Sequence, residues 1–409
     1  MPIASGLAKK VIFAPVATQG TLPIVGLSTA QYLRRVTSDL NLTKETYSSN
    51  EIRSDMQVGD FRHGVRFCEG TIAGELSPGT YSNSFKGILR QDWQTPSTTG
   101  AIITVTAAST TGASGTFTRS AGSYLTDGFK IGDVVRWSGW ATTATANNAH
   151  NFLITSLTAL IMTGTMLDGV AVAAKAAGDS VTGVTVGKKT YIPTTGHVSY
   201  WWAVEHFYSD ISLSELYTDC KINTLSVKLP ATGMATIDIG LQGLKMHPTT
   251  AAYFTSPIAA STAGTLAAVN GALYVGTTKV ALLTSLDFDI SANLTSEPVV
   301  GSNEKPTIFD GKITVQGNMS VFFEDATFRD YFINETEVSV LAVFTTANTP
   351  AADFMAFTFP RIKVGGATKD DGDKGLIQSM PFTALYNTAG GTGVSSTATT
   401  FVVQDSTIV

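Results

Sequence analysis

Charged side chains are scarce in this 409-residue chain. Asp, Glu, Lys and Arg make up 14%, where an average protein carries about a quarter. Neither sign dominates, and the formal net charge is −5. No dense Lys/Arg run is present, so tight binding to nucleic acid, which needs phosphate neutralisation, is not indicated. Only two cysteines occur, Cys68 and Cys220. That excludes a disulfide scaffold, and both lie in apolar strand-like runs that predict buried free thiols. No stretch approaches the roughly 18 apolar residues that span a membrane. Met1 to Lys10 lacks a charged-then-apolar export pattern, so the chain is expected to stay in the cytosol that makes it.

Motifs for chemistry are equally thin. The five histidines, His63, His150, His197, His206 and His247, form no pair at metal-ligand spacing. His197 and His206 flank Trp201 and Trp202 and are expected at a surface or an interface. Asp370-Asp371-Gly372-Asp373 lacks the alternating ligands and closing Glu of a calcium loop and reads as a solvated turn. The glycines from Gly390 to Gly393 have no strand–loop–helix context for phosphate. No Gly-x-Ser-x-Gly elbow occurs. No enzyme activity, cofactor or metal is expected.

What the sequence does carry is β-pattern. Leu225 to Leu229, Ile237 to Leu241, Phe288 to Ile290 and Val338 to Val340 alternate apolar and polar residues, the period of half-buried strands. Helices are few. Thr80 to Leu89 places Tyr81, Phe85, Ile88 and Leu89 at helical spacing after Ser77-Pro78. Asp325 to Asn334 lines Phe328, Tyr331 and Phe332 on one side, with Asp325 able to cap the first turn.

These two segments point to an internal duplication. Thr80-Tyr81 lies 247 residues before Thr327-Phe328. Phe85 and Phe332, Gly70 and Gly317, Gly64 and Gly311, and Thr37-Ser38 and Thr284-Ser285 share that offset. Cys220-Lys221-Ile222 precedes Pro360-Arg361-Ile362 by 140 residues, as Ile237 precedes Ile377. The first copy is therefore longer, and the surplus falls between Pro96 and about Pro193. Strand-like runs at Ile102 to Thr106, Val134 to Trp137, Asn151 to Thr155 and Val181 to Val186 make this a small all-β insertion. Insertions succeed at exposed loop tips, so it is expected on the outside of an assembly. Residues from about His247 to Thr265, rich in Ala, Thr, Ser and Pro, read as an extended linker. The expected fold is mainly β. It has two tandem modules, each β-sandwich or barrel-like with one flanking helix. The first covers 1–96 and 194–247, the insertion 97–193, the linker 248–265 and the second module 266–409.

Several stretches together resemble the tail tube (major tail) proteins of siphophages. They are Tyr32 to Leu40, Ser49 to Arg53, Asp60 to Gly64, Gly74 to Tyr81, Pro230 to Ile237, Ser296 to Gly301 and Lys369 to Leu376. The resemblance spans nearly the whole chain and rests on the order and spacing of these stretches. It implies a structural virion protein whose inner sheets join side by side into a barrel around a channel for double-stranded DNA. It also implies stacked rings, assembly in the host bacterial cytoplasm, and partners at the tube's ends and in its lumen: a tail terminator, distal tail proteins and a tape measure protein. Most relatives carry one module and form hexamers. Two modules per chain would close the same ring with three copies, and six copies is the alternative. The resemblance further implies that a charged loop, Thr43 to Arg62, reaches the next ring through Lys44, Glu45, Glu51, Arg53, Asp55, Asp60 and Arg62. Its counterpart from Ser291 to Phe309 carries Glu297, Glu304 and Lys305. The competing readings are another virion β-protein, such as a terminator or decoration protein, and a glycan-binding adhesin that stacks sugars on Trp137, Trp140, Trp201 and Trp202.

Overall fold

The computed structural model describes residues 3–100, 103–280, 282–371, 373 and 375–409. The chain is mainly β. It opens with β1 (Lys9–Val16), β2 (Gln31–Tyr32), β3 (Thr37–Ser38), β4 (Asn41–Ser48) and β5 (Phe61–Glu75), then α1 (Ser82–Leu89). Six strands follow: β6 (Ile103–Ser109), β7 (Ser114–Arg119), β8 (Val134–Ser138), β9 (Phe152–Leu157), β10 (Ile161–Met166) and β11 (Lys175–Thr185). The chain then returns through β12 (Lys188–Tyr191), β13 (Trp201–Tyr208), β14 (Leu213–Pro230), β15 (Thr236–Gly243) and β16 (Lys245–Thr249). The last part holds β17 (Gly271–Val275), β18 (Thr278–Val280), β19 (Leu283–Ser291), β20 (Thr314–Phe322), α2 (Thr327–Ile333), β21 (Val338–Thr345), β22 (Phe354–Val364), β23 (Thr368–Lys369), β24 (Ile377–Ala384) and β25 (Val402–Asp405).

Strand pairing builds two layers. The inner layer runs β4–β5–β15–β14–β19–β20–β24–β22, all antiparallel. The outer layer runs β2–β1–β13–β14–β16 in one half and β18–β17–β21–β22–β25 in the other. β14 and β22 are long enough to belong to both layers, and the two halves therefore repeat one order of pairing.

Alternation decides what each layer buries. Along β15, Ile237, Ile239 and Leu241 point to the core while Thr236, Asp238 and Gln242 stay half-exposed. The inner layer thus has one apolar and one polar face. The outer layer is apolar on both faces. Val11, Phe13, Trp202, Val204, Val340, Ala342, Phe344, Met355 and Phe357 join the core between the layers. The residues between them pack outward. Ile12, Ala14 and Ala203 are covered by Ala30 and Phe254. Tyr274, Leu341, Val343, Phe354 and Ala356 are covered by Val134 and Leu153. One core cluster serves both halves: Phe85 of α1 meets Phe357, and Phe288, Phe357, Phe359 and Phe401 pack ring on ring at 5.1–6.3 Å. Full burial of one such ring contributes about 1.5–3 kcal/mol.

β6 to β11 close a six-stranded barrel around Phe117, Trp137, Trp140 and Phe152. Of the four strand runs read in this segment, that at 102–106 begins one residue outside the described residues, at Ile102. The barrel ends at Thr185. The next strand, β12, leaves it and pairs with β25 in the main sheet. Gly187 makes that exit, with φ +62° and a Cβ position only 2.0 Å from the Asp405 carbonyl oxygen, so no side chain fits there. The barrel is welded to the second half through buried Gln404. Its Oε1 accepts from the Val134 N–H at 2.9 Å, and its Nε2 donates to the carbonyls of Val134 (3.0 Å) and Val186 (2.7 Å). Asn151 donates to Ala352 O, and Lys130 to the carbonyls of Gly391 and Val394.

Three expectations need correction. His206 is buried and is not a surface residue, because β13 lies in the doubly covered outer layer. Phe332 is exposed; only Phe328 and Tyr331 turn to the core, since α2 presents a single i, i+3 pair inward. The Ala/Thr/Ser-rich connection is more than a spacer. Phe254 is buried in it, and the Glu205 carboxylate holds the N–H groups of Tyr253 (2.5 Å) and Phe254 (3.1 Å). Cys68 and Cys220 are buried free thiols, as read. Asp325 accepts the Thr327 N–H at 2.8 Å, closing the start of α2.

Two predictions follow from this packing. Replacing Gln404 by Leu strands the Val134 N–H and the Val186 carbonyl, while the Val134 carbonyl keeps the Val186 N–H at 3.0 Å; each stranded group costs roughly 1–3 kcal/mol less any relaxation. Urea unfolding should show a loss of about 2–4 kcal/mol, with amide exchange rising first in β8 and at Val186. His206 is pulled down to about 3, chiefly by burial and then by Lys9 and Arg35. Its neutral Nε2 lies 2.8 Å from the Ser38 hydroxyl. The unfolded chain takes up this proton near pH 6.5 and the folded chain only near 3, so stability falls as pH drops through that window, by up to about 1.4 kcal/mol per unit. His206→Gln should flatten the dependence of Tm on pH between 6 and 4; an unchanged slope refutes the assignment.

Candidate assembly surfaces

The central joint lies between β14 and β19. Seven residue pairs run from Thr224↔Ser291 to Pro230↔Ser285. Apolar residues alternate on both strands, so Leu225, Val227 and Leu229 align with Ile290, Phe288 and Leu286 on the core side. The joint leaves one strand open at each end of the inner layer. At one end, among the described residues, β4 pairs only with β5. At the other, β22 and β23 pair with β24 on one side. Among the described residues, no strand covers their other side beyond Ile362. Such edges are sticky unless covered.

The polar face of the inner layer carries Glu69, Glu75, Asp238, Asp287 and Asp289 against Lys228 and Lys363, among Ser, Thr, Asn and Gln. Burial raises the Asp287 carboxyl above its ordinary value, and Asp289 beside it adds to the shift. The face is acidic and neutral-polar, a surface that repels phosphate.

The charged loop of the first half is an antiparallel hairpin. Lys44↔Arg66, Thr46↔His63, Tyr47↔Arg62 and Ser48↔Phe61 pair its arms. Glu45 accepts from the Tyr47 hydroxyl at 2.6 Å. Arg53 pairs with Asp55 and Arg62 with Asp60, both at 2.8 Å and on the surface. Lys44 and Glu51 lie along the same hairpin. Sequence reading missed its apolar content: Ile52 and Met56 are almost fully exposed, with Val58, Tyr47 and Phe61 beside them. That pattern was legible in the sequence as isolated apolar residues inside a charged run.

The corresponding segment of the second half, residues 292–313, is folded down across the first half. Glu304 is held by Arg66 and by Lys245 (3.3 Å). Lys305 sits 4.5 Å over the Phe67 ring and 3.2 Å from Ser296 Oγ. Glu297 remains at the surface. Asp310 meets Lys221 at 3.0 Å and Arg90 at 3.8 Å, and Arg90 also donates to the carbonyls of Gly311 and Ala292. Burial lowers both cations, and Asp310 opposes that shift. Arg90, Lys221, Asp310, Arg66 and Lys245 escaped the sequence reading because no spacing links them; only the fold brings them together.

Among the described residues no three His, Cys, Asp or Glu side chains gather at metal distance. In the acidic turn, Asp370 accepts the Ile377 N–H at 2.5 Å, while Gly372 and Lys374 lie outside the described residues. His150 pairs with Asp168 at 2.6 Å inside the barrel's polar rim. His197 is exposed. Trp137, Trp140 and Trp202 are buried, and Trp201 is capped by the Lys221 ammonium at 4.3 Å, which removes the stacking platform a glycan-binding reading needs.

No curated protein matches the chain. A family model described as phage tail tube protein matches residues 6–384, nearly the whole length. With its open inner-layer edges and its mainly β fold, the chain belongs to the phage tail tube protein family, structural proteins of the virion tail that assemble into a multi-subunit tube.

Proposed function

We propose that this protein arose by duplication and forms the tail tube of a siphophage, with three copies per ring and rings stacked into a conduit for double-stranded DNA. The carrying observation is the β14–β19 joint. It already does within one chain what a ring must do between chains: it lays the inner layer of one half beside that of the next. The same pairing between copies consumes both open edges, with β4 of one chain beside residues 364–369 of its neighbour. Closing a sheet on itself is the general cure for edges. Two modules per chain make three copies equivalent to a hexamer of single modules. The acidic polar face then lines the lumen, where DNA and a tape measure protein pass without adhering. The barrel, packed on the far side of the outer layer, lies on the outside. Head-to-tail stacking of such rings grows an open filament that a terminator and distal tail proteins finish. The chain works without catalysis or cofactor, inside the host cytoplasm during assembly and in the virion afterwards.

The register of the joint makes the proposal specific. Ser226 faces Asp289 across β14 and β19. Thr368 holds the place of Ser226 on the open edge, because Thr368↔Ser379↔Ser320 repeats Ser226↔Asp238↔Ala73. Asn41, opposite Glu69, likewise matches Asp289, opposite Gln316. Both Thr368 and Asn41 are exposed in the single chain. The variant Asn41→Cys, Thr368→Cys should form disulfide-linked chains under mild oxidation, because directly opposed residues place their Cα atoms about 4.5–5.5 Å apart. End-on electron micrographs should show rings with three outer projections. Six projections overturn three-copy closure, and monomers without cross-links overturn the tube reading itself.

A further inference from the structure

Two strand ends in the first half are closed by a residue that leads into the second. Leu76, just past β5, donates its N–H to the Ala235 carbonyl at 2.8 Å, just before β15. Leu266 is wedged into this pair. Its N–H donates to the Leu76 carbonyl and its carbonyl accepts from the Ala235 N–H, both at 2.9 Å. The three residues thus form a closed ring of backbone hydrogen bonds, and all three are fully buried. One position on, Met234 and Ala267 form an isolated antiparallel bridge.

Strand register identifies the counterparts of this trio. Tyr208 pairs with Lys9 and Leu213, and Phe344 pairs with Gly271 and Met355. Both pairings shift register at the matching place, between Trp202 and Val204 and between Val338 and Val340. Lys9 therefore corresponds to Gly271, Ser5 to Ala267 and Ala4 to Leu266. The same turn precedes both strands: the Ala8 N–H donates to Ser5 O at 3.0 Å, and the Asn270 N–H to Ala267 O at 3.2 Å. On the receiving side, Phe322↔Ile377 repeats Glu75↔Thr236, so Phe323 and Leu376 correspond to Leu76 and Ala235. The Phe323 N–H donates to the Leu376 carbonyl at 2.9 Å, as Leu76 does to Ala235.

In the second half the ring of bonds is open. Among the described residues, no group bonds the Phe323 carbonyl or the Leu376 N–H. Leu376 is 38% exposed, where Ala235 is sealed. The segment matching Leu266 is idle as well. Ala4 is exposed, and among the described residues its N–H and carbonyl have no partner. The turn behind it is anchored, because the Ser5 N–H donates to Asp210 at 2.6 Å. Size is matched too: a large Leu266 meets a small Ala235 within the chain, and a small Ala4 is on offer to a large Leu376.

We propose that residues 3–5 of one copy latch onto the second half of a neighbouring copy, with the Ala4 N–H donating to the Phe323 carbonyl and the Ala4 carbonyl accepting from the Leu376 N–H. This rests on the self-assembly reading and adds a second contact to the edge pairing of β4. A joint between copies that repeats the joint within the chain brings residues 3–5 to the place that residues 265–267 occupy. Main-chain bonds of this kind supply affinity with little demand on side-chain identity.

The variant Ser5→Cys, Gly375→Cys puts a cysteine pair where the Met234–Ala267 bridge stands. Bridged residues lie about 4.5–5.5 Å apart at Cα, within disulfide reach. Mild oxidation of the assembled protein should link chain to chain on a denaturing gel, and neither single variant should do so. Ala4→Pro removes the donated N–H and should raise the concentration needed for assembly about tenfold, measured by sedimentation. Ala4→Ser keeps that N–H and should assemble like wild type. Melts of the unassembled variants should match wild type, since Ala4 is exposed, and this separates an assembly defect from a folding defect. If Asn41→Cys, Thr368→Cys links chains while Ser5→Cys, Gly375→Cys does not, or if Ala4→Pro assembles normally, the latch is overturned and the tube reading stands. If neither cysteine pair links chains, both are overturned.

Discussion

Two layers that share long strands have to settle where their unpaired edges go, and in this chain the β14–β19 pairing settles it. β14 runs from the outer layer into the inner one, so the first half hands the second an inner edge whose apolar side is already aligned with the core. Because Leu225, Val227 and Leu229 meet Leu286, Phe288 and Ile290, a slip of one residue at this joint would turn an entire apolar row to solvent. The two halves consequently share one core, with Phe85 of the first in the same cluster as Phe357 of the second. The open edges at either end are the consequence of putting this joint inside the chain.

The outer layer raises a second requirement. Its strands are apolar on both faces, so something must cover the outside. The two halves solve this differently: the first with the connection around Phe254, the second with the inserted barrel. The barrel is thus more than an ornament on a loop. Gln404 satisfies backbone groups on both barrel margins from within the main sheet. A buried amide that bonds three backbone groups fixes position as well as contributing stability, since a tilt of the barrel leaves the Val134 N–H and the Val186 carbonyl unpaired.

The strands were legible wherever one face is buried. Leu225 to Leu229, Ile237 to Leu241 and Phe288 to Ile290 alternate because the inner layer has a wet side, and they lie in β14, β15 and β19. The outer layer was harder, because strands buried on both sides lose the alternation; this is also why His206 read as a surface group. Phe332 was misplaced because a helix of two turns offers too few positions for periodicity to fix its inward face. The linker's small polar residues hid Phe254, whose burial depends on Glu205, far away in sequence. The charged hairpin was visible as composition. Its distinction from residues 292–313 was not, because that depends on a contact with Arg66 and Lys245 that only the folded chain creates.

Scarcity gives the remaining charges their weight. In a chain that is 14% charged, the ions near the joints stand almost alone, so few background charges dilute a mismatch there. Lys221 and Arg90 illustrate the cost of this arrangement: burial lowers both, and Asp310 is what keeps them compatible with the interior. Removing one partner of such a buried set is far more damaging than never having had it. At the open end of the sheet the matching groups, Glu335 and Lys363, remain in water, where their pair contributes little. Desolvation on contact with a second copy would strengthen whatever charge complementarity exists there and penalise whatever is wrong. A neutral surface with a few charges of defined sign at its edges can therefore be insensitive to most neighbours and selective toward one.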